Sequence, residues 1–161
     1  MDYVVGVDFG AARTSVVARS GGVSRTVTLA NRGGPVSSAA FVRDDGSYLF
    51  GEDAVALGSQ RPDRYVPAVR RLLEPAALQI ELGDVRLRSE DVVSAFLSWV
   101  VTTTAHREGG SPSSWVMAVP AAWTPARRSQ LHGIATDLGL PSQLTLVTEA
   151  EAAAQYGHHP V

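Results

Sequence analysis

The residue types most able to do chemistry are concentrated in a few short stretches. Asp8-Phe9-Gly10-Ala11-Ala12-Arg13-Thr14 sets a carboxylate at the end of an apolar run and follows it with Gly and small residues. Small residues let backbone N–H groups approach an anion closely. A carboxylate at Asp8 can stand near a phosphate-bound Mg²⁺, through water, because Mg²⁺ keeps much of its hydration. An ordinary tight hairpin, whose Asp satisfies the turn N–H groups, accounts for the same residues. Arg70-Arg71 lies between Val69 and Leu72. One guanidinium of this pair can fork onto a phosphate, and a solvated helix face is the plainer alternative. Glu149 falls where a strand pattern gives way to a helix pattern. There it can position a water or a hydrated metal, or simply favour the positive end of the helix dipole. Pro120 is either a rigid joint or a strand terminator. His158-His159 is a terminal pair best read as solvated, and His106 and His132 lack a ligand spacing. Neither a Gly-x-Ser-x-Gly elbow nor a Gly-x4-Gly-Lys-Ser/Thr loop occurs.

These residues need elements to hold them. Apolar, β-branched runs at 3–7, 14–19 and 23–29, separated by Asp8-Phe9-Gly10 and Gly21-Gly22, predict a three-stranded antiparallel meander. Residues 39–42 and 47–50 predict a smaller hairpin around Asp44-Asp45-Gly46, and 78–82 with 85–87 another around Gly83-Asp84. Residues 52–60 and 63–73 read as helices, with Pro67 in the first turn of the second. Ser89 is the expected N-cap of a long helix that buries Val92, Phe96, Trp99 and Val100 and stops near Gly109-Gly110. Strand 115–119, a helix capped by Thr124-Pro125 and stopped by Gly139, strand 144–147 and an Ala-rich helix from Glu149 complete the order. Strands joined through helices should run parallel, so the fold class is mixed α/β.

Composition narrows the classes. The chain has 161 residues, 45% hydrophobic and 19% charged, with formal net charge −2. That balance argues against disorder, and the missing basic excess argues against nucleic-acid binding. All 14 basic residues are Arg, and Cys is absent, so disulfides and thiolate metal sites are excluded. The sequence has no 18-residue apolar run for a membrane span and no basic leader at Met1-Asp2-Tyr3, which points to the cytoplasm.

The order of the motifs resembles the amino-terminal half of the ATPase domain of the seventy-kilodalton heat-shock chaperones, within the actin-like ATPase group. Val5-Gly6-Val7-Asp8-Phe9-Gly10 is similar to that family's first phosphate loop. Pro62 and Ala68-Val69-Arg70-Arg71-Leu72-Leu73 resemble its Asn-Pro … Ile-Lys-Arg-Leu-Ile stretch. Val116-Met117-Ala118-Val119-Pro120-Ala121-Ala122-Trp123 resembles its Val-Pro-Ala-Tyr-Phe signature, and Val147-Thr148-Glu149-Ala150-Glu151-Ala152-Ala153-Ala154 its Asn-Glu-Pro-Thr-Ala-Ala-Ala signature. The resemblance implies an actin-like (ribonuclease H-like) lobe, with 1–35 and 111–161 as inner subdomain and 36–110 as an inserted outer α+β subdomain. It implies ATP or ADP and Mg²⁺ as ligands, with Asp8, Gly10, Ala11, Ala12 and Arg13 around the phosphates and Asp8 toward Mg²⁺ through water. Arg70 and Glu149 would take the catalytic positions, and Pro120 and Arg128 would relay nucleotide state to a peptide-binding domain. Unfolded client proteins, co-chaperones and a second ATPase lobe are the implied partners, without nucleic acid or membrane.

Departures from the family pattern modify that expectation. Ala11 and Ala12 replace paired Thr residues, Arg70 replaces the catalytic Lys, and Arg13 is bulky where the family is small. A permanently charged planar guanidinium cannot keep a geometry built for an ammonium, so hydrolysis should be weak. The family closes nucleotide between two lobes, and residues 1–161 correspond to one, so this stretch alone should bind nucleotide poorly. The alternative is a catalytically degenerate actin-like scaffold or interaction module. A filament protein or sugar kinase of the same group is disfavoured by the Pro120 and Glu149 signatures.

Overall fold

The computed structural model describes residues 2–74, 78–140 and 144–156. Its main sheet opens with β1 (Val4–Phe9), β2 (Arg13–Ser20) and β3 (Val23–Thr26), antiparallel neighbours as the alternating pattern predicts. Two later strands, β10 (Ser114–Val119) and β11 (Leu144–Thr148), add to the free edge of β1, all three parallel, giving the order β11-β10-β1-β2-β3. The sheet is therefore mixed, and the protein is mixed α/β. The third strand is shorter than its apolar run, although Val27 N–H still donates to Val16 O at 2.8 Å.

Between these halves of the sheet lies the irregular segment. A short β4 (Val36–Ser37) pairs with the start of β2, so the main sheet takes a strand from beyond residue 35. A three-stranded sheet follows, from β5 (Ala40–Val42), β6 (Tyr48–Phe50) and β7 (Tyr65–Val66), with α1 (Gly51–Gly58) packed on it. The helix expected over 63–73 does not form. The chain makes a 3-10 turn at Pro62–Arg64, then β7, then a second 3-10 turn at Val69–Leu73. Pro67 explains this, because its ring disfavours helical backbone at Val66. The hairpin of β8 (Gln79–Leu82) and β9 (Val85–Arg88) leads directly into α2 (Ser89–Glu108). Ser89 is the first helical residue rather than the cap, and the cap position falls to Arg88, whose side chain makes no cap hydrogen bond.

One face of the main sheet is closed by α2 and by α3 (Pro125–Asp137), which lies against both α2 and β11. Alternation sends Val5, Val7 and Phe9 of β1 into that layer, and all three are buried. Phe9 stacks on Phe96 at 5.6 Å, and Phe96 in turn meets Phe50 and Trp99 at 5.6 Å each. These rings bind the main sheet, α2 and the small sheet into one hydrophobic core. The α3 caps follow expectation: Thr124 Oγ1 accepts from Arg127 N–H at 3.3 Å, Pro125 opens the helix, and Gly139 after it has φ +70°. A final helix, α4 (Glu149–Tyr156), turns back over β10 and β11. No helix among the described residues is long and apolar enough to cross a membrane.

Candidate functional site

The carboxyl ends of β1, β10 and β11 lie along one edge of the sheet. Asp8 pairs in register with Ala118, and Ala118 with Val147. Directly paired residues of parallel strands point to the same face, so Asp8, Ala118 and Val147 share one, opposite the α2 layer. Glu149 follows two residues after Val147, at the first turn of α4. Asp8 and Glu149 both line a groove of about 440 Å³ whose floor is Val4, Gly6, Val116 and Ala118. Ligands of open α/β sheets occupy this kind of place, outside the carboxyl ends of strands.

Arg70 reaches Glu149 and the backbone next to Asp8. It comes from the second 3-10 turn, and its Nη1 donates to Phe9 O at 3.3 Å and to Glu149 Oε1 at 3.3 Å. The Arg70 side chain is only 12% exposed, against 55% for Glu149, so the cation is packed in while its partner faces solvent. Partial desolvation pushes the exposed Asp8 carboxyl above its ordinary range, the nearby charge of Glu149 adds to the rise, and Arg70 opposes it. The three residues named from sequence for the phosphate, metal and catalytic positions are therefore neighbours.

A residue not singled out from the sequence positions Arg70. Ser38 N–H donates to Ala12 O at 2.9 Å, and Ser38 O accepts from Val69 N–H at 2.8 Å. Its hydroxyl pairs with Thr14 Oγ1 at 2.8 Å in a fully buried setting. Ser38 thus ties the Asp8 loop to the turn that carries Arg70. The sequence signal was weak: the second of two adjacent serines ahead of an apolar run, with nothing to mark its long-range partners.

The rest of the loop behaves less as expected. Gly10 N–H is used within the loop, donating to Arg13 O at 3.0 Å. A Cβ at Gly10 would lie 2.3 Å from that same carbonyl oxygen. Glycine is thus required there by the turn itself. The Arg13 side chain is engaged elsewhere: it donates to Pro35 O and pairs with Glu52 at 3.5 Å. Ala11 and Ala12 bring no hydroxyl, and their N–H groups have no partner among the described residues.

Pro120 follows Val119, which pairs with Thr148, so it lies beside the start of α4. Arg128 lies on α3 close enough to Glu151 for its charge to lower that carboxyl, behind the larger effect of hydrogen bonds from Thr148. Thr148 and Glu151 form a reciprocal cap: Thr148 N–H donates to Glu151 Oε2 at 2.7 Å, and Glu151 N–H to Thr148 Oγ1 at 3.1 Å. The spacing Thr148-x-x-Glu151 announces that cap, so Glu149 is free of capping duty and available to Arg70. His158 and His159 lie outside the described residues.

A larger cavity, about 630 Å³, lies between β9, the start of α2 and the start of α3. Its Glu90 is already held by Arg88 at 3.0 Å and Gln130 at 2.6 Å, which leaves it little chemistry to offer.

Mg²⁺ fits the Asp8 site poorly. The donors are two carboxylates, one already in contact with a guanidinium that cannot lose its proton. No cluster of three His, Cys, Asp or Glu able to hold a metal occurs among the described residues. No family model matches the sequence.

Proposed function

We propose that this chain is an ATP-binding lobe of the actin-like, ribonuclease H-like kind, from a divergent chaperone-type ATPase of the seventy-kilodalton heat-shock class. One observation carries it: Asp8 and Glu149, far apart in sequence, line the same groove, with Arg70 held between Glu149 and the carbonyl of Phe9 beside Asp8. In this reading the phosphates of ATP or ADP lie over the 10–12 loop, where the N–H groups of Ala11 and Ala12 and the guanidinium of Arg70 meet them. The inserted segment that follows β4 acts as the outer subdomain, and Pro120 and Arg128, beside the first turn of α4, carry its position toward a peptide-binding domain. Client proteins, co-chaperones and the second lobe that closes the cleft are the partners of the whole ATPase.

Hydrolysis on this lobe is slow. Phosphoryl transfer depends on positioned counter-charge, and a guanidinium tied to both Glu149 and Phe9 O cannot re-aim as charge develops on the phosphoryl oxygens. Isothermal titration of the chain with ATP and ADP tests the binding reading. Weak saturable binding that shifts the amide signals of residues 8–13 is expected. No binding and no shift at ~10 mM nucleotide, far beyond ordinary substrate affinities, defeats it.

The second reading is a scaffold that keeps the fold without the chemistry. The closed Arg70–Glu149 pair and the missing hydroxyls at Ala11 and Ala12 favour it. The same titration separates the two.

A further inference from the structure

We propose that Arg70 is the resident cation of the Asp8–Glu149 site and keeps divalent metal out of it. The inference deepens the reading of that site, but it stands on the geometry of Arg70 and is tested without nucleotide.

A metal ion at this edge would have to be bound by Asp8 and Glu149, the acids that line the groove. Arg70 already serves Glu149, with Nη1 3.3 Å from Oε1. The same nitrogen also donates to Phe9 O at 3.3 Å, the carbonyl of the residue next to Asp8. One guanidinium nitrogen thus serves two acceptors, and the side chain behind it is packed in the protein. Swinging it aside would break both contacts and expose buried carbon.

The identity of the cation decides the outcome. A lysine at this position could lose its proton under the field of an arriving dication and so make room for it. Arginine stays charged throughout the accessible pH range, so an ion approaching Glu149 always meets a fixed positive charge. The charge that Mg²⁺ would supply is thus already supplied by the chain. The cost is geometric: a guanidinium neutralises carboxylates but cannot bridge a phosphate and a water as an octahedral ion does.

The test is a Mn²⁺ titration of the chain in the absence of nucleotide, reading paramagnetic broadening of the amides of residues 8–10 and 149–151. The intact chain should show no saturable broadening below about 5 mM, weaker than even loosely held divalent sites. Removing the cation by Arg70→Gln should tighten Mn²⁺ binding by about tenfold or more, because two uncompensated carboxylates then face the groove. Adding Asp8→Asn to that variant should abolish the gain. Arg70→Met keeps the packed stem and serves the same purpose if the Gln variant does not fold. Saturation of the intact chain below about 5 mM overturns the proposal. So does a folded Arg70→Gln or Arg70→Met protein that binds Mn²⁺ no more tightly than the original. Failure of ATP or ADP to bind would count against the nucleotide reading and leave this result as it stands.

Discussion

Asp8 stands at the end of β1, exposed but partly desolvated, and faces the charge of Glu149. Its carboxyl is raised above the ordinary range, first by desolvation, then by Glu149, with Arg70 working the other way. A raised carboxyl means that the folded protein holds this proton more tightly than the unfolded chain. The associated stability is fully present below the unfolded value, about 3.9, and is lost as pH rises through the folded value. Asp8→Asn removes that loss. Its melting temperature at pH 7 should exceed that of the parent by a degree or two, a small effect because solvent screens the site. The difference should vanish by about pH 3.5, below the unfolded value of the carboxyl. Scanning calorimetry at both pH values checks this, and a loss of stability at pH 7 would contradict it. Gly10 gives a second expectation. Gly10→Ala must move the Arg13 carbonyl away from a Cβ built 2.3 Å from it. A destabilisation of about 1–3 kcal/mol is expected in urea unfolding.

At the scale of elements, the start of α4 matters most, because it places Glu149. Thr148 and Glu151 satisfy each other's backbone N–H groups and so fix where the helix begins. Thr148→Ala should cost about 1 kcal/mol, the usual magnitude for a lost N-cap. It should also weaken the Arg70–Glu149 contact, seen as faster amide exchange across 149–152. The Glu151 carboxyl lies below its ordinary range because of the Thr148 N–H and hydroxyl, with Arg128 assisting. The sign is opposite to that of Asp8. This contribution is present above the unfolded value, about 4.3, and is lost as pH falls through the folded one. Fraying of α4 should therefore set in with acid below about pH 4, and Glu151→Gln should remove the pH dependence while leaving a weaker cap. Helix α4 and the Asp8 loop thus respond to acid in opposite directions.

At the scale of the whole molecule, the aromatic cluster decides whether the site exists. Phe96 is fully buried and touches Phe9, Phe50 and Trp99. It therefore joins the strand that bears Asp8 to the small sheet and α2. Phe96→Ala should cost about 3–5 kcal/mol, the range for truncating a buried aromatic residue. The main sheet and the β5–β7 sheet should lose protection together. If amide exchange showed the small sheet opening alone, the shared core would not be the source of their cooperation.

Much of the architecture was legible in local pattern. Alternation in β1 and β2, glycines at the turns, Thr124-Pro125 ahead of α3 and Gly139 after it all act over a few residues, and each appears where its chemistry places it. The helix suggested over 63–73, with Pro67 in its first turn, does not form, because proline restricts the backbone of the residue before it. Asp8, Arg70 and Glu149 could be named from residue type and motif order, but their meeting could not be read from any local signal. It depends on β10 and β11 adding to the parallel edge of β1, and on Ser38 drawing the Arg70 turn against the loop. Arg13 shows the converse: a cation beside Asp8 in sequence that folding turns toward Pro35 and Glu52. Local sterics and hydrogen bonding set each element within its own few residues, whereas the pairing of distant side chains depends on how the sheet is ordered and what packs across it.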